Sequence, residues 1–360
     1  MRMKHFLLAV AALVVSLTAS AQGSNSFAQD HLSLSGYLQG GFQSTESSST
    51  FYLKRARVSL TGNAKEEKID YRLQVDMAGS PKICDLYFRY KPSSQLGMQI
   101  GQFKMPFAIE NDIYGPTTVE LIDYSYITTL FARNNNQFDG IAATGRDIGF
   151  QIYGGFGEEK GYKTLSYNLG VFNGTGINVA DNNDSKDIVA RLILKPSKAL
   201  SLSGSVMTTK TTKVTSELKL SGHSDAWDLL DIKLDTVTTK TNINSNRWSV
   251  GVIYDVEDFI VRSEYASAEF ENGDNINSFY ALGGYKLKNN WMLIARYETL
   301  SEVYKSTYDT YRNRVTLGAV YKPYSFLRFQ LNYSYEKSGL QSVNKYDSVQ
   351  GVNLMLTAIF

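Results

Sequence analysis

The chain has little of what most enzymes and soluble domains rely on. Its 360 residues hold one cysteine, three histidines and six prolines. A lone Cys84 cannot close an internal disulfide, and no neighbouring histidine or cysteine gives it metal-ligand spacing. Of His5, His31 and His223, only His223 has Ser224, Asp225 and Asp228 close by. That spacing matches no nucleophile–base arrangement with a mechanism, so a solvated loop residue is expected. Asp181-Asn182-Asn183-Asp184 lacks the full ligand loop of a calcium site and reads as a turn. Charge of one sign is missing too. Lys and Arg number 37 against 35 Asp and Glu, a net +2 that gives no reason to expect a nucleic-acid partner. After residue 21 no apolar run reaches the length of a membrane-spanning helix. Nothing here points to an enzyme, a cofactor or a metal.

What is present is an export signal followed by alternation. Arg2 and Lys4 precede the apolar run Phe6–Leu17, and Ala19-Ser20-Ala21 then offers small residues where a signal peptidase cuts. Residues 1–21 are therefore expected to be removed, leaving 22–360 as a single domain. At the other end Val352, Leu354, Leu356, Ala358 and Phe360 share one face of a strand that finishes the chain on an aromatic. In Phe326–Glu336, Leu327, Phe329, Leu331, Tyr333 and Tyr335 alternate with Arg328, Gln330, Asn332, Ser334 and Glu336. A helix would scatter those polar groups around its axis, whereas a strand places them all on one side.

About sixteen such segments follow one another from residue 32 to the end, with eighteen if 213–241 adds a hairpin. Lys91-Pro92-Ser93-Ser94, Lys195-Pro196-Ser197-Lys198 and Lys322-Pro323-Tyr324-Ser325 read as copies of one tight turn. Turns after even-numbered strands are short. Connectors after odd-numbered ones (104–145, 173–185, 209–245, 301–310) are mostly longer. That asymmetry, the 24 tyrosines, and Phe88, Tyr90, Tyr285, Trp291, Tyr321 and Tyr324 near the turns predict an all-β transmembrane antiparallel barrel in outer-membrane lipid.

A barrel of this size leaves an aqueous channel rather than a packed interior. Strand parity places Arg55, Arg57, Arg72, Arg89, Arg191, Arg262, Arg296, Arg314 and Arg328 on the inner face, with Asp76, Asp85, Asp187, Glu264, Glu298 and Glu336. Nine cations against six acids predict a mild preference for anions. Bracing of the wall by ion pairs, such as Arg262 with Glu264 and Arg296 with Glu298, accounts for the same residues. The connector 104–145 is rich in apolar side chains (Phe107, Ile109, Leu121, Phe131) and is expected to fold into the barrel mouth.

Gly101-Gln102-Phe103-Lys104-Met105-Pro106-Phe107 with Glu110, then Phe131-Ala132, then Gly145-Arg146-Asp147-Ile148-Gly149, resembles the phosphate-selective porin O and P family. Phe51–Leu60, with Leu53 and the Arg55-x-Arg57 pair, resembles that family's second strand. The resemblance implies a sixteen-stranded trimeric channel whose third loop forms the constriction, here Lys104 to Arg133. Phosphate selectivity does not carry over: Lys104 and Arg133 face Glu110, Asp112, Glu120, Asp123 and Asp139, too few donors to outbid water for phosphate. The expected function is passive diffusion of small hydrophilic or anionic solutes. The rival is a non-channel barrel, an adhesin or outer-membrane hydrolase, working through its extracellular loops.

Overall fold

The last residue of the chain packs against the first strand. Phe360 N donates to Gly36 O (3.0 Å) and Gly36 N to Phe360 O (2.8 Å), continuing the antiparallel register that pairs Tyr37 with Ile359 and Thr45 with Gly351. The Phe360 ring lies so close over Gly36 that a Cβ there would stand 2.4 Å from it. Only glycine admits that approach. The seam joins β1 (Leu32–Thr45) to β16 (Lys345–Ile359).

This computed structural model describes residues 32–64, 68–132, 144–159, 161–181, 184–221, 233–304, 308–340 and 345–360. Between the seam strands run β2 (Ser49–Ala64), β3 (Ile69–Asp76), β4 (Lys82–Tyr90), β5 (Gly97–Lys104), β6 (Arg146–Glu159), β7 (Tyr162–Phe172) and β8 (Asp187–Leu194). They continue with β9 (Leu200–Ser221), β10 (Lys233–Asp255), β11 (Phe259–Phe270), β12 (Asn275–Lys286), β13 (Trp291–Tyr304), β14 (Tyr308–Tyr324) and β15 (Leu327–Leu340). Each pairs with its sequence neighbours, and the sheet closes as a barrel of sixteen antiparallel strands. Closure leaves no sheet edge, so the ladder satisfies the backbone polar groups without water.

The side chains are arranged inside out relative to a soluble protein. On β15, Phe329 and Leu331 are each 44% exposed, while Gln330 and Asn332, which alternate with them, are 2% and 4% exposed. The same alternation puts Leu354 and Leu356 outside and Met355 and Thr357 inside on β16. An apolar outer face of this extent is stable only against hydrocarbon. Two polar-tipped aromatic bands bound it. Trp291 stacks on Tyr321 (4.5 Å) and Tyr324 on Phe326 (5.4 Å) beside the short turns. Toward the other end, Tyr265, Tyr297 and Tyr333 donate their hydroxyls to Asn277, Asn313 and Gln350 on the adjacent strands. Rings that are apolar in body and wet at the tip suit the two membrane surfaces.

Two expected long connectors prove to be strand. β9 and β10 pair continuously from Leu200↔Tyr254 to Ser221↔Lys233, so most of 209–245 lengthens one hairpin and adds no further strand. Past Thr208 and Ser245, β8 and β11 no longer reach them, and the two strands rise as a free ribbon. Likewise 301–310 is largely the upper part of β13 and β14, which pair as far as Tyr304↔Tyr308. Backbone pairing continued where the one-sided apolar pattern had stopped, because strand above the membrane has no lipid face to display. His31, Arg133, Asp139, His223, Asp225 and Asp228 lie outside the described residues, as does the 182–183 part of the Asp181–Asp184 turn. Among the described residues, no group of three or more His, Cys, Asp or Glu could hold a metal.

Candidate functional site

Residues 105–132 leave the end of β5 and make one helical turn (Ile109–Asp112) and a π-type turn (Ile127–Ala132). The two halves of the motif meet at the base of this segment. Met105 N donates to Gly145 O (3.0 Å), and Asn111 Nδ2 donates to both Met105 O (2.9 Å) and Gly145 O (3.1 Å). Gly145 has φ +67°, and a Cβ on it would fall 2.0 Å from Asn111 Oδ1, so the clasp requires glycine here. Lys104, expected in the connector, is the last residue of β5, and Arg146 is the first of β6.

The segment's acids, counted from sequence as a surplus against two cations, are met by cations of the wall. Glu110 and Arg262 are both fully buried and meet at 2.9 Å, with Arg296 3.8 Å from the same carboxylate. Arg262 also holds Glu120 (2.7 Å) and carries the Tyr114 ring 4.0 Å above its guanidinium. Asp112 takes both terminal nitrogens of Arg191, and Asp123 takes Lys54 Nζ (2.6 Å). Burial alone would lift the Glu110 carboxyl. Arg262, then Arg296 and the Ser125 N–H, outweigh it and hold the group below its ordinary 4.5.

The wall also reads the segment's backbone. Glu264 accepts Ile109 N (3.0 Å) and Glu298 accepts Tyr126 N (2.9 Å). Arg296 donates to Asp123 O (3.0 Å), Arg328 to the carbonyls of Thr117 and Val119, Gln330 to Glu120 O (2.7 Å) and Arg247 to Phe131 O (2.8 Å). One expected pair along a strand forms: Arg296 and Glu298 meet at 3.0 Å, with Arg314 at 2.6 Å from the same carboxylate. The other does not. Arg262 turns to Glu110 and Glu120, which frees Glu264 to accept the Ile109 amide. Buried charges and amides need partners, and this network supplies them across the two elements.

Against the opposite wall lies a cavity of about 460 Å³, bounded by Gly115–Thr117 of the segment and by strands β1–β7. Five cations line it (Arg57, Arg72, Arg89, Lys104 and Arg146) with two acids, Asp85 and Asp112. Arg57 is held by Asp76 (2.8 Å), Arg89 by Asp70 (2.5 Å), and Arg146 by Asp85 (2.6 Å), with Arg72 at 3.6 Å from Asp85. Arg55 donates to Gln39 Oε1 (2.8 Å), whose own amide nitrogen reaches Pro116 O (3.0 Å).

The nine arginines therefore divide. Arg191, Arg262, Arg296, Arg314 and Arg328 bond to the segment, Arg57, Arg72 and Arg89 line the cavity, and Arg55 bonds to Gln39. Arg146 and Arg247 were missed. Arg247 shares the parity of inner-face Ser249 and could have been counted. Arg146 could not, because it and Asp147 are both buried and alternation breaks at the start of β6.

A closed sixteen-strand barrel with a lipid-facing exterior, a polar interior and a charged cavity defines the architecture of an outer-membrane porin. The family model of phosphate-selective porin O and P matches residues 31–360, and the chain belongs to that family. Several solved barrels are similar in fold. OmpT of Vibrio cholerae, in trimer form, superposes with a TM-score of 0.63 at 15% identity, over 91% of this chain and 99% of that one. The anion-selective porin of Comamonas acidovorans gives 0.66 at 13% identity, over 91% and 99%. The outer-membrane channel DcaP of Acinetobacter baumannii gives 0.64 at 13%, over 91% and 97%. No curated protein matches the sequence. Family and fold place the chain in the outer membrane of a Gram-negative cell as a diffusion channel.

Proposed function

We propose that the protein lets small hydrophilic solutes cross the outer membrane passively, with a mild preference for anions. The observation that carries this reading is the division of charge. The acids of segment 105–132 are neutralised by the wall they touch, whereas the cavity on the other side is lined by five cations and two acids and keeps a small cation excess even after Asp76 and Asp70 pair with Arg57 and Arg89. A cation surplus in a low-dielectric passage concentrates anions and repels cations. Segment 105–132 lies inside the barrel and narrows the water path to the side of β1–β7, with Lys104, Asp112, Arg57, Arg72 and Arg89 among the groups a solute passes. Arg191, Arg262, Arg296, Arg314 and Arg328 act chiefly as braces that hold the constriction in place.

The mature chain begins near Gln22 after removal of residues 1–21 and assembles as a homotrimer in outer-membrane lipid. The trimeric form of a barrel with the same fold supports that assembly. No bond is made or broken in transport, so the channel needs no catalytic group. The test is a planar bilayer recording of the purified protein in a potassium chloride gradient. Ohmic unit conductances with a reversal potential on the chloride side are expected. Silent insertion, or a potassium-selective current, would overturn the reading.

A further inference from the structure

The cylinder closes, but its strands stop at different heights, and one of the steps lies beside β2. β1 and β2 pair as far as Ser44↔Ser49, whereas β3 ends at Asp76, opposite Arg57. Met77 N still reaches Ala56 O (2.8 Å), and the chain then turns back into β4. From Phe51 to Arg55, β2 therefore has β1 on one side and, among the described residues, no strand on the other. The ladder sets the height of this open edge. Tyr265, Tyr297 and Tyr333 mark the outer aromatic band. Along the rungs Tyr265 leads through Phe279 to Thr299, and Tyr297 through Val315 to Tyr335, so the band drops two residues for every two strands crossed. The same step from Tyr333, through Val352 to Ser44, arrives at Phe42, whose ring meets that of Phe51 at 4.9 Å. Phe51 stands at the band, and Leu53 to Arg55 lie below it, at the depth of hydrocarbon.

Lipid cannot satisfy such an edge. Acyl chains offer backbone N–H and C=O groups no partner, so open strand edges do not face hydrocarbon. The chain covers the next part of its rim itself. Asn178, in the connector between β7 and β8, donates its N–H to Gln102 Oε1 (2.7 Å) and its Nδ2 to Ile83 O (3.0 Å), capping β4 and β5. Among the described residues nothing comparable covers β2. Instead two apolar side chains stand out from it. Phe51 is 84% exposed and Leu53 80%, while the next large apolar side chain among the described residues, Tyr324 at a short turn, is 61% exposed. Other wall residues lean on neighbours from both flanking strands, and these two have a strand on one flank alone. An unpaired strand edge carrying bare apolar side chains is a template for another protein chain.

We propose that this edge is where the subunits of the homotrimer join: Phe51 and Leu53 of one copy lie over the low β3–β4 rim of the next, against its Val75 and Ile83, so that protein covers what lipid cannot. Every copy carries both the ridge and the step, on adjacent strands. The contact is thus head-to-tail, between two different patches, and a rotation that closes makes it a ring. The proposal rests on the homotrimer reading above and adds the surface that builds it.

The experiment measures the mass of the purified protein in mild detergent by light scattering, together with oxidative cross-linking. The wild type is expected to be a trimer. Phe51→Lys combined with Leu53→Lys sets like charges into the contact and should lower the mass about threefold, in protein whose gel mobility still shifts on heating as a folded barrel's does. Near the band a lysine on a lipid face reaches the headgroups, so the single barrel remains able to fold. A folded double variant that stays trimeric would overturn the proposal. Cross-linking decides the matter without that variant. Phe51→Cys with Ile83→Cys, in a Cys84→Ser background, should yield covalent dimers and trimers on mild oxidation, whereas a disulfide within one chain leaves the mass of a monomer. Absence of linked species would overturn the proposal equally. A monomeric wild type would instead overturn the homotrimer reading, so the two failures are distinguishable.

Discussion

Glu110 and Arg262 meet at 2.9 Å with no exposed surface on either side chain, though 152 positions separate them in the chain. An ion pair so enclosed is stable only while both members are present. Removing Glu110 leaves Arg262 with Glu120 as its one carboxylate and Arg296 with Glu298, an incompletely compensated buried cluster, at a cost of about 3 kcal/mol. Glu110→Gln therefore unseats segment 105–132 from the β11–β13 wall. The expected outcome is a barrel that still folds but shows larger and noisier unit conductance in bilayer recordings. A quiet conductance of wild-type size would show that other contacts suffice.

Acid should do reversibly what that substitution does permanently. Glu110 is held below its ordinary 4.5 by Arg262, Arg296 and the Ser125 N–H in spite of its burial. A carboxyl held low contributes its full stabilisation at any pH above 4.5 and loses it as the pH falls through the native value, because the unfolded state then binds more protons. Unit conductance should stay flat from neutral pH down to 4.5 and rise only below it. Glu110→Gln should lack the step.

Anion preference should follow the cavity arginines. Arg72 and Arg89 keep about a third of their side-chain surface exposed (33% and 32%), so replacing them disturbs packing least. Arg72→Ser combined with Arg89→Ser is expected to lower the chloride-to-potassium permeability ratio by about twofold or more, read from reversal potentials in a salt gradient. Arg57 is a poorer choice because its side chain is only 7% exposed, and Arg55 because it does not line the cavity. An unmoved reversal potential would leave Arg72 and Arg89 as braces.

Barrel closure should depend on Gly36. Any Cβ there meets the Phe360 ring at 2.4 Å and Arg57 O at 2.6 Å, and the second of these is backbone that cannot swing away. Gly36→Val should sharply reduce the fraction of protein migrating as a compact, heat-modifiable band in detergent gels. Phe360→Ala in the same background removes the ring but not the carbonyl, and should recover only part of that fraction.

Much of this architecture was legible in the order of residues. The strands could be read because lipid on one side and water on the other impose a strict two-residue period, as at Phe329–Tyr333. Lys91–Ser94 and Lys195–Lys198 could be read as turns from their shared Lys-Pro, but Lys322-Pro323-Tyr324 proves to be the end of β14, with the turn at Ser325-Phe326. The upper parts of β9 and β10 could not, since threonine, serine and lysine fall at either parity in 210–221 and no lipid sorts them. The site was harder still. Arginines could be assigned to the inner face, but not their partners. Nothing local tells Arg262 to choose Glu110 and Glu120 over Glu264, two residues away on its own strand. That choice is made by a segment arriving from more than a hundred positions earlier, whose acids looked like an uncompensated surplus until the wall that answers them was in place.

The reach of that network also sets an order of events during assembly. Until β11–β13 have joined the sheet, Glu110, Glu120 and the amides of Ile109 and Tyr126 lack the partners that hold them, because Arg262, Glu264, Arg296 and Glu298 belong to those strands. Contacts this distant in sequence form slowly. Segment 105–132 therefore reaches its seat late, once that side of the cylinder has been laid down.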